Sequence, residues 1–304
     1  MEIQKVNFKN GIWKLSGELF LPQNFDKSQK YPSLVFSHPG GGVKEQISSV
    51  YAKGMQRSGY ICLTFDASHQ GESEGEPNLL DNPYERTEDI KCAVDYLTTL
   101  PYIDRKRIGV IGQCAGAGYA VFASLTDRRI KAVCGICCTN PGETSRLGWE
   151  GKRSIEDQKK ILDEISEQRT IEANGGEIKY VHYVPELEEI NENTPKEMIE
   201  GNKYYRTPLG GHKNSCNLFK FTGLAYRMTF DAYEFIPDYL DRPFLIIAGG
   251  KAQSLWQSKK AYELAKEPKE LYIIEEAGHF DFYANEKYIN MAIDKLIEFF
   301  NKYL

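Results

Sequence analysis

The pentapeptide Gly112-Gln113-Cys114-Ala115-Gly116 constrains this chain more than any other stretch. The run before it, Arg107-Ile108-Gly109-Val110-Ile111, reads as a buried strand, and Gly118 to Leu125 after it reads as an apolar helix. A strand that turns sharply into a helix at a Gly-x-nucleophile-x-Gly sequence lifts the central side chain clear of the sheet. Glycines belong there because the turn is strained, and larger residues at the flanking positions would strike the neighbouring strand and helix. The helix N-terminus aims its amides at the central residue, where they favour a thiolate and can hold an oxyanion. Taken alone, the motif also fits a small turn with a buried cysteine, so its meaning depends on partners elsewhere.

The flanking pattern sets the fold class. Val6 to Lys9 and Trp13 to Leu21 enclose Asn10-Gly11, which predicts an N-terminal antiparallel hairpin. Strands then alternate with helices. Leu34–Phe36, Tyr60–Phe65, 107–113, Ile130–Cys138, Phe244–Ile247 and Leu271–Ile274 read as short apolar strands. Helices are expected from about Glu45 to Ser58, through Ile90, Ala93, Val94, Leu97 and Leu100 with Thr87 as N-cap, and around Ser258 to Ala265. A final amphipathic helix carries Ile289, Ala292, Ile293, Leu296 and Phe300. Repeated βα units of this kind predict an α/β fold, a mostly parallel sheet with helices on both faces. From about Pro141 to Pro237 the rhythm breaks into charged and aromatic sequence. Ile155, Ile161, Leu162 and Ile165 mark one helix there, Thr194-Pro195 opens another, and no strand pattern is evident. The expected organisation is a core of residues 1–140 and 237–304, with a mainly helical cap over 141–236 inserted above the sheet's C-terminal edge.

Composition narrows the partners. A formal net charge of −5 supplies no basic footprint for nucleic acid, and no apolar run is long enough to span a bilayer. The N-terminal Met1-Glu2-Ile3-Gln4-Lys5 lacks a signal-peptide core, so the expected location is cytoplasmic. Seven irregularly spaced cysteines do not resemble a disulfide framework. Within Cys134-Gly135-Ile136-Cys137-Cys138 the C-x-x-C spacing lacks a second ligand pair. Strand alternation would send Cys134 and Cys138 to one face and Cys137 to the other as core residues. Neither a metal nor a cofactor is called for, and a small molecule is the expected partner.

A thiol nucleophile needs a base, and histidine is suited to that near neutral pH. His279, in Gly278-His279-Phe280-Asp281 just past the last strand, is the candidate, since in this strand order the catalytic histidine comes last. An oxyanion hole needs two amides aimed at one point. The N–H of Ala115 is one candidate, and Gly40 or Gly41, after the Leu34–Phe36 strand, supplies the other. His38 reads as structural and His69 as a loop residue near the pocket, while His182 and His212 fall in the cap. A third partner to orient His279 is expected after Phe244–Ile247, yet Pro243 to Tyr262 contains no Asp or Glu. Gln253 is the first candidate, because an amide oxygen can accept from the imidazole, and Asn140 is the second. Trp149, Tyr180, Tyr183, Tyr204, Tyr205 and Phe219 make the cap aromatic, either to receive an apolar acyl group or to form its own small core.

His38-Pro39-Gly40-Gly41-Gly42-Val43-Lys44-Glu45-Gln46, Phe65-Asp66-Ala67-Ser68-His69-Gln70-Gly71-Glu72-Ser73, Asn82-Pro83-Tyr84 and the Cys114 turn together resemble the α/β-hydrolase superfamily. Within it they are most similar to a dienelactone-hydrolase-like branch that includes fungal polyketide acyl-transfer and thioester-cleaving enzymes. The resemblance implies a Cys114 nucleophile, a His279 base and an acyl-enzyme intermediate. The branch has Ala-Asp where this chain has Ala252-Gln253. Three functions are compatible with that departure. They are an acyl hydrolase of esters, thioesters or lactones, an acyltransferase using the same intermediate, and a non-catalytic binding protein.

Overall fold

The apolar runs pair into one large sheet in the computed structural model, which describes residues 2–304. In chain order the elements up to the end of the elbow helix and its next strand are β1 (Glu2–Asn10), β2 (Trp13–Leu21), β3 (Tyr31–Ser37), α1 (Ile47–Arg57), β4 (Ile61–Phe65), α2 (Pro83–Thr99), β5 (Ile103–Gln113), α3 (Ala115–Thr126) and β6 (Ile130–Ile136). Next come α4 (Pro141–Leu147), α5 (Ile155–Ala173), β7 (Tyr180–His182), α6 (Lys196–Tyr205), β8 (Leu218–Lys220), α7 (Leu224–Thr229) and α8 (Ile236–Tyr239). The chain closes with β9 (Phe244–Gly249), α9 (Leu255–Leu264), β10 (Lys269–Ile274), α10 (Asp281–Ala284) and α11 (Glu286–Tyr303).

The main sheet has the order β1-β2-β4-β3-β5-β6-β9-β10. β1 and β2 form the antiparallel hairpin at one edge, and β2 also runs antiparallel to β4. Every other pairing in the sheet is parallel. One apolar cluster packs α2 and α3 on one face, through Ile90, Val94, Tyr119 and Val121. A second packs α1 and α11 on the other, through Tyr51, Met55, Leu296 and Phe300. This is an α/β-hydrolase fold. No described helix is long and apolar enough to cross a membrane.

Local chemistry moved several boundaries. α2 begins a turn earlier than expected, because the Asn82 side chain accepts the Tyr84 N–H and Pro83 occupies the first turn, where its missing donor costs nothing. Thr87 is therefore inside the helix, donating to the Pro83 carbonyl at 2.7 Å. The strand expected through Cys138 ends at Ile136, and Cys137 has φ 50°. That turn breaks the alternation, so Cys134 and Cys137 share one apolar layer and Cys138 joins the other. Between β6 and β9 the chain is mainly helical, as the pattern suggested, but β7 and β8 pair there as a two-stranded antiparallel ribbon. Strands of three residues are too short to leave a readable alternation. Pro195 caps α6 rather than entering it.

The loop after β3 is anchored by charge. Lys44, only 1% exposed, places its ammonium 2.7 Å from Asp66, 2.8 Å from Glu45 and 2.9 Å from Glu72. Asp66 also accepts the Lys44 and Glu72 backbone N–H groups. Desolvation raises the Asp66 carboxyl, and the neighbouring ammonium opposes it. Glu45, Asp66 and Glu72 are spaced closely enough to suit a metal, but the Lys44 ammonium already sits among them. Removing one member of a buried pair leaves an uncompensated charge. Lys44→Met should therefore lower unfolding free energy by about 3–5 kcal/mol, measured by urea titration at neutral pH.

Candidate active site

β5 delivers the chain to Cys114, which has φ 52° and ψ −122°, and α3 starts at the next residue. A side-chain-bearing residue held in such a region costs about 1–3 kcal/mol and persists only where its surroundings enforce it. They do so here through backbone contacts. The Cys114 N–H donates to Ile136 at 2.9 Å, and its carbonyl accepts from Ala117 at 3.0 Å and Thr139 at 3.3 Å. A methyl group on Gly112 would strike the Gly116 carbonyl, and one on Gly116 would strike the Ser37 carbonyl. Both glycines are thus required by close backbone approach, and the half-buried Cys114 thiol is held at the turn's apex.

His279 follows β10 and is fully buried. Its Nδ1 lies 2.7 Å from Ser254 Oγ. Its Nε2 is buried without a hydrogen-bond partner. Burial pushes the Cys114 thiol up, but the nearby His279, with Thr139 and the Ala115 N–H, holds it below the ordinary cysteine value. Thr139 Oγ1 stands 3.7 Å from the sulfur. With Nδ1–H donated to Ser254, Nε2 keeps its lone pair for the thiol proton.

Neither sequence-based candidate for the third partner meets the imidazole. Gln253 instead forms a reciprocal pair with α6. Its Oε1 accepts the Glu197 N–H at 3.0 Å, and its own N–H donates to Glu197 Oε1 at 2.6 Å. Its Nε2 donates to Glu150 at 3.2 Å. Asn140 caps α4, accepting from Gly142 and Glu143, and its Nδ2 donates to Asp231 at 2.6 Å. The residue at Nδ1 is Ser254, the next position after Gln253. A serine hydroxyl can accept from the imidazole N–H as an amide oxygen can, and nothing in the sequence sets Ser254 apart from other loop serines.

Cys114, Ala115 and Gly40 line one cavity of about 470 Å³. Gly41 lies outside that lining, with φ 71° and a carbonyl that accepts from Ser215 Oγ at 2.6 Å. The Tyr183 ring explains both glycines, since a methyl on Gly40 would meet it at 3.1 Å and one on Gly41 at 2.8 Å. Trp149, Tyr183, Tyr205 and Phe219 line the cavity, as does His182. Tyr204 is packed against Phe280 and Tyr283 instead, and Tyr180 is exposed on β7. The cap aromatics therefore divide between cavity wall and local core. His38 is buried, accepting the Ala67 N–H, and His69 pairs with Glu85 at 2.6 Å. His212 lies 3.9 Å from Glu45. Ser254→Ala would strand Nδ1 in a dry site. It should lower the alkylation rate of Cys114 by iodoacetamide about tenfold at neutral pH, with far-ultraviolet circular dichroism unchanged.

A family model of the dienelactone hydrolase family matches residues 17–155. An uncharacterised Escherichia coli K12 protein, YcjY, is 39% identical over 304 residues, covering 100% of this chain and 99% of the relative. The crystal structure of a hypothetical protein from Pseudomonas aeruginosa superposes with a TM-score of 0.93 at 34% identity, covering 100% of this chain and 94% of that one. The polyketide transferase GrgF of a Penicillium species is 23% identical over 284 residues, covering 92% of this chain and 91% of the relative. Its crystal structure, an α/β-hydrolase, gives a TM-score of 0.83 at 22% identity and covers 100% of this chain and 99% of that one. The elbow, the buried late histidine and these full-length likenesses agree: the chain belongs to the dienelactone hydrolase family of α/β-hydrolases.

Proposed function

We propose that this protein is an acyl hydrolase in which Cys114 carries the acyl group during turnover, and in which residues 141–236 serve as a cap over the acyl pocket. The observation that carries this reading is a strained elbow thiol coupled to a buried histidine whose Nε2 has no other partner. The thiolate of Cys114 attacks the carbonyl carbon of an ester, thioester or lactone, forming a C–S bond and a tetrahedral oxyanion. The Ala115 N–H, at the start of α3, and an amide of the Gly40 turn are the donors suited to that oxyanion. Collapse expels an alkoxide or thiolate, which takes its proton from Nε2 of the His279 imidazolium. Nε2 then removes a proton from water, hydroxide attacks the acyl carbon, and the thiolate leaves with the carboxylic acid formed. Every proton in this cycle passes through His279, and backbone and side chains supply every group.

A hydroxyl in place of a carboxylate at Nδ1 suits a thiol better than an alcohol. Cysteine ionises several units more readily than serine, so less charge must be stabilised on the imidazole. The aromatic walls suit an apolar or aromatic acyl group. Free thiols throughout the chain fit work in a reducing cytoplasm. A second reading is acyl transfer to an alcohol or amine. It is favoured by a cavity roofed with Trp149, Tyr183 and Phe219, which limit water, and by the likeness to a polyketide transferase. Binding without catalysis would leave the lowered thiol without a purpose.

A panel of esters and thioesters, from acetyl to medium-chain and aromatic acyl groups, tests the reading. Turnover should fall about a thousandfold or more in Cys114→Ala. Because the thiol is held below the ordinary cysteine value, the wild-type rate should persist below that value and decline only as pH falls through the lowered one. Added alcohol or amine acceptors should leave the product mixture unchanged for a hydrolase and divert it to new esters or amides for a transferase. Equal rates in wild type and Cys114→Ala would refute the nucleophile.

A further inference from the structure

The loop after β9 carries no carboxylate, and a buried one from α6 packs against it. Glu197, on α6, is 2% exposed although nothing in its own segment demands a buried charge. One oxygen accepts the Gln253 N–H at 2.6 Å, and the other accepts the Trp149 indole N–H at 2.7 Å. The backbone N–H groups of Ser254 and His279 also favour its charged form. It therefore takes hydrogen bonds from two separate segments, one of them immediately before Ser254. Trp149 is drawn in as well, its ring centroid 5.3 Å from that of His279.

Resting on the proposed nucleophile, we infer that Glu197 is a positioning residue for Cys114–His279, locking the Ser254 and His279 backbone and supplying at one remove the negative charge that an imidazolium requires. A buried carboxylate is stable only when its oxygens are filled with donors, and every donor that fills this one belongs to the histidine's own surroundings. Burial raises the Glu197 carboxyl and the four N–H groups oppose that. Other charged or titratable groups around the pair are placed differently. Asp281 accepts the Gly278 N–H at 2.7 Å, and Glu200 approaches Gly278 from α6. Arg227 acts on Cys114 from the cavity wall and is paired with Asp81. Cys137 donates to the His279 carbonyl, while Tyr205 and Tyr283 are neutral rings beside the thiol.

The test is the pH profile of Cys114 alkylation by iodoacetamide, read by intact-protein mass, beside kcat and KM on the best ester. Glu197→Gln keeps the size and removes the charge. It should slow alkylation about tenfold at pH 6, move the profile's midpoint upward towards an ordinary thiol, and lower kcat with little change in KM. Glu197→Asp, which keeps the charge, should leave the midpoint in place. Trp149→Phe removes one donor without touching the charge and should lower kcat two- to threefold at an unmoved midpoint. If Glu197→Gln does not fold, this last variant decides, and unaltered kcat in it would overturn the inference. An unmoved midpoint in Glu197→Gln, or a shift found in Asp281→Asn instead, would overturn it too. If no ester or thioester is turned over by the wild type, the acyl-enzyme reading fails, while the alkylation profiles still test Glu197.

Discussion

The structure turns on a single strained residue. Cys114 has a positive φ that a side-chain-bearing residue adopts only under constraint, and its thiol reaches the cavity because of that torsion. Each neighbouring feature sustains it. Gly112 and Gly116 let β3, β5 and α3 approach to backbone contact, and Ile136 and Thr139 hold the peptide groups on either side. The eight-stranded sheet carries the elbow at the C-terminal end of a central strand, between β3 with the Gly40 turn and β6 with Thr139. The strained turn, the Gly40 turn and Thr139 are thus delivered by adjacent strands.

Around that centre the polar groups are arranged in order of burial. His279 is dry, fixed on one nitrogen by Ser254 and left free on the other. Behind it the Glu197 carboxylate accepts the Gln253 N–H and the Trp149 indole N–H. A carboxylate thus stands behind the hydroxyl rather than directly on the imidazole. A thiol tolerates that distance because its ionisation asks less of the histidine than an alcohol's does. A cysteine at the elbow and a hydroxyl at Nδ1 are chemically consistent with each other.

Much of the fold could be read from the chain because independent signals coincided. Asn10-Gly11 with alternating flanks gave the hairpin, and apolar strands alternating with amphipathic helices gave the parallel sheet. The elbow was legible for the same reason, since glycine spacing, strand and helix all agreed at Cys114. What could not be read depended on tertiary placement. Gln253 had suitable chemistry, but α6 claims its side chain, and Ser254 one position on turns inward. Glu197 lies in a charged segment where one more carboxylate carries no signal, and only the packing of α6 reveals its burial. Gly40 or Gly41 was expected to supply an oxyanion amide, and the Tyr183 ring that rests on both leaves no room for a side chain at either.

The most direct test of Cys114 as acyl carrier is rapid-quench intact-protein mass spectrometry with a slow aromatic thioester, followed by peptide mapping. A single adduct of the acyl mass should form on the Cys114 peptide within the first turnover and decay at the rate of acid release. An adduct on another residue, or product released with no adduct at any time, would contradict it.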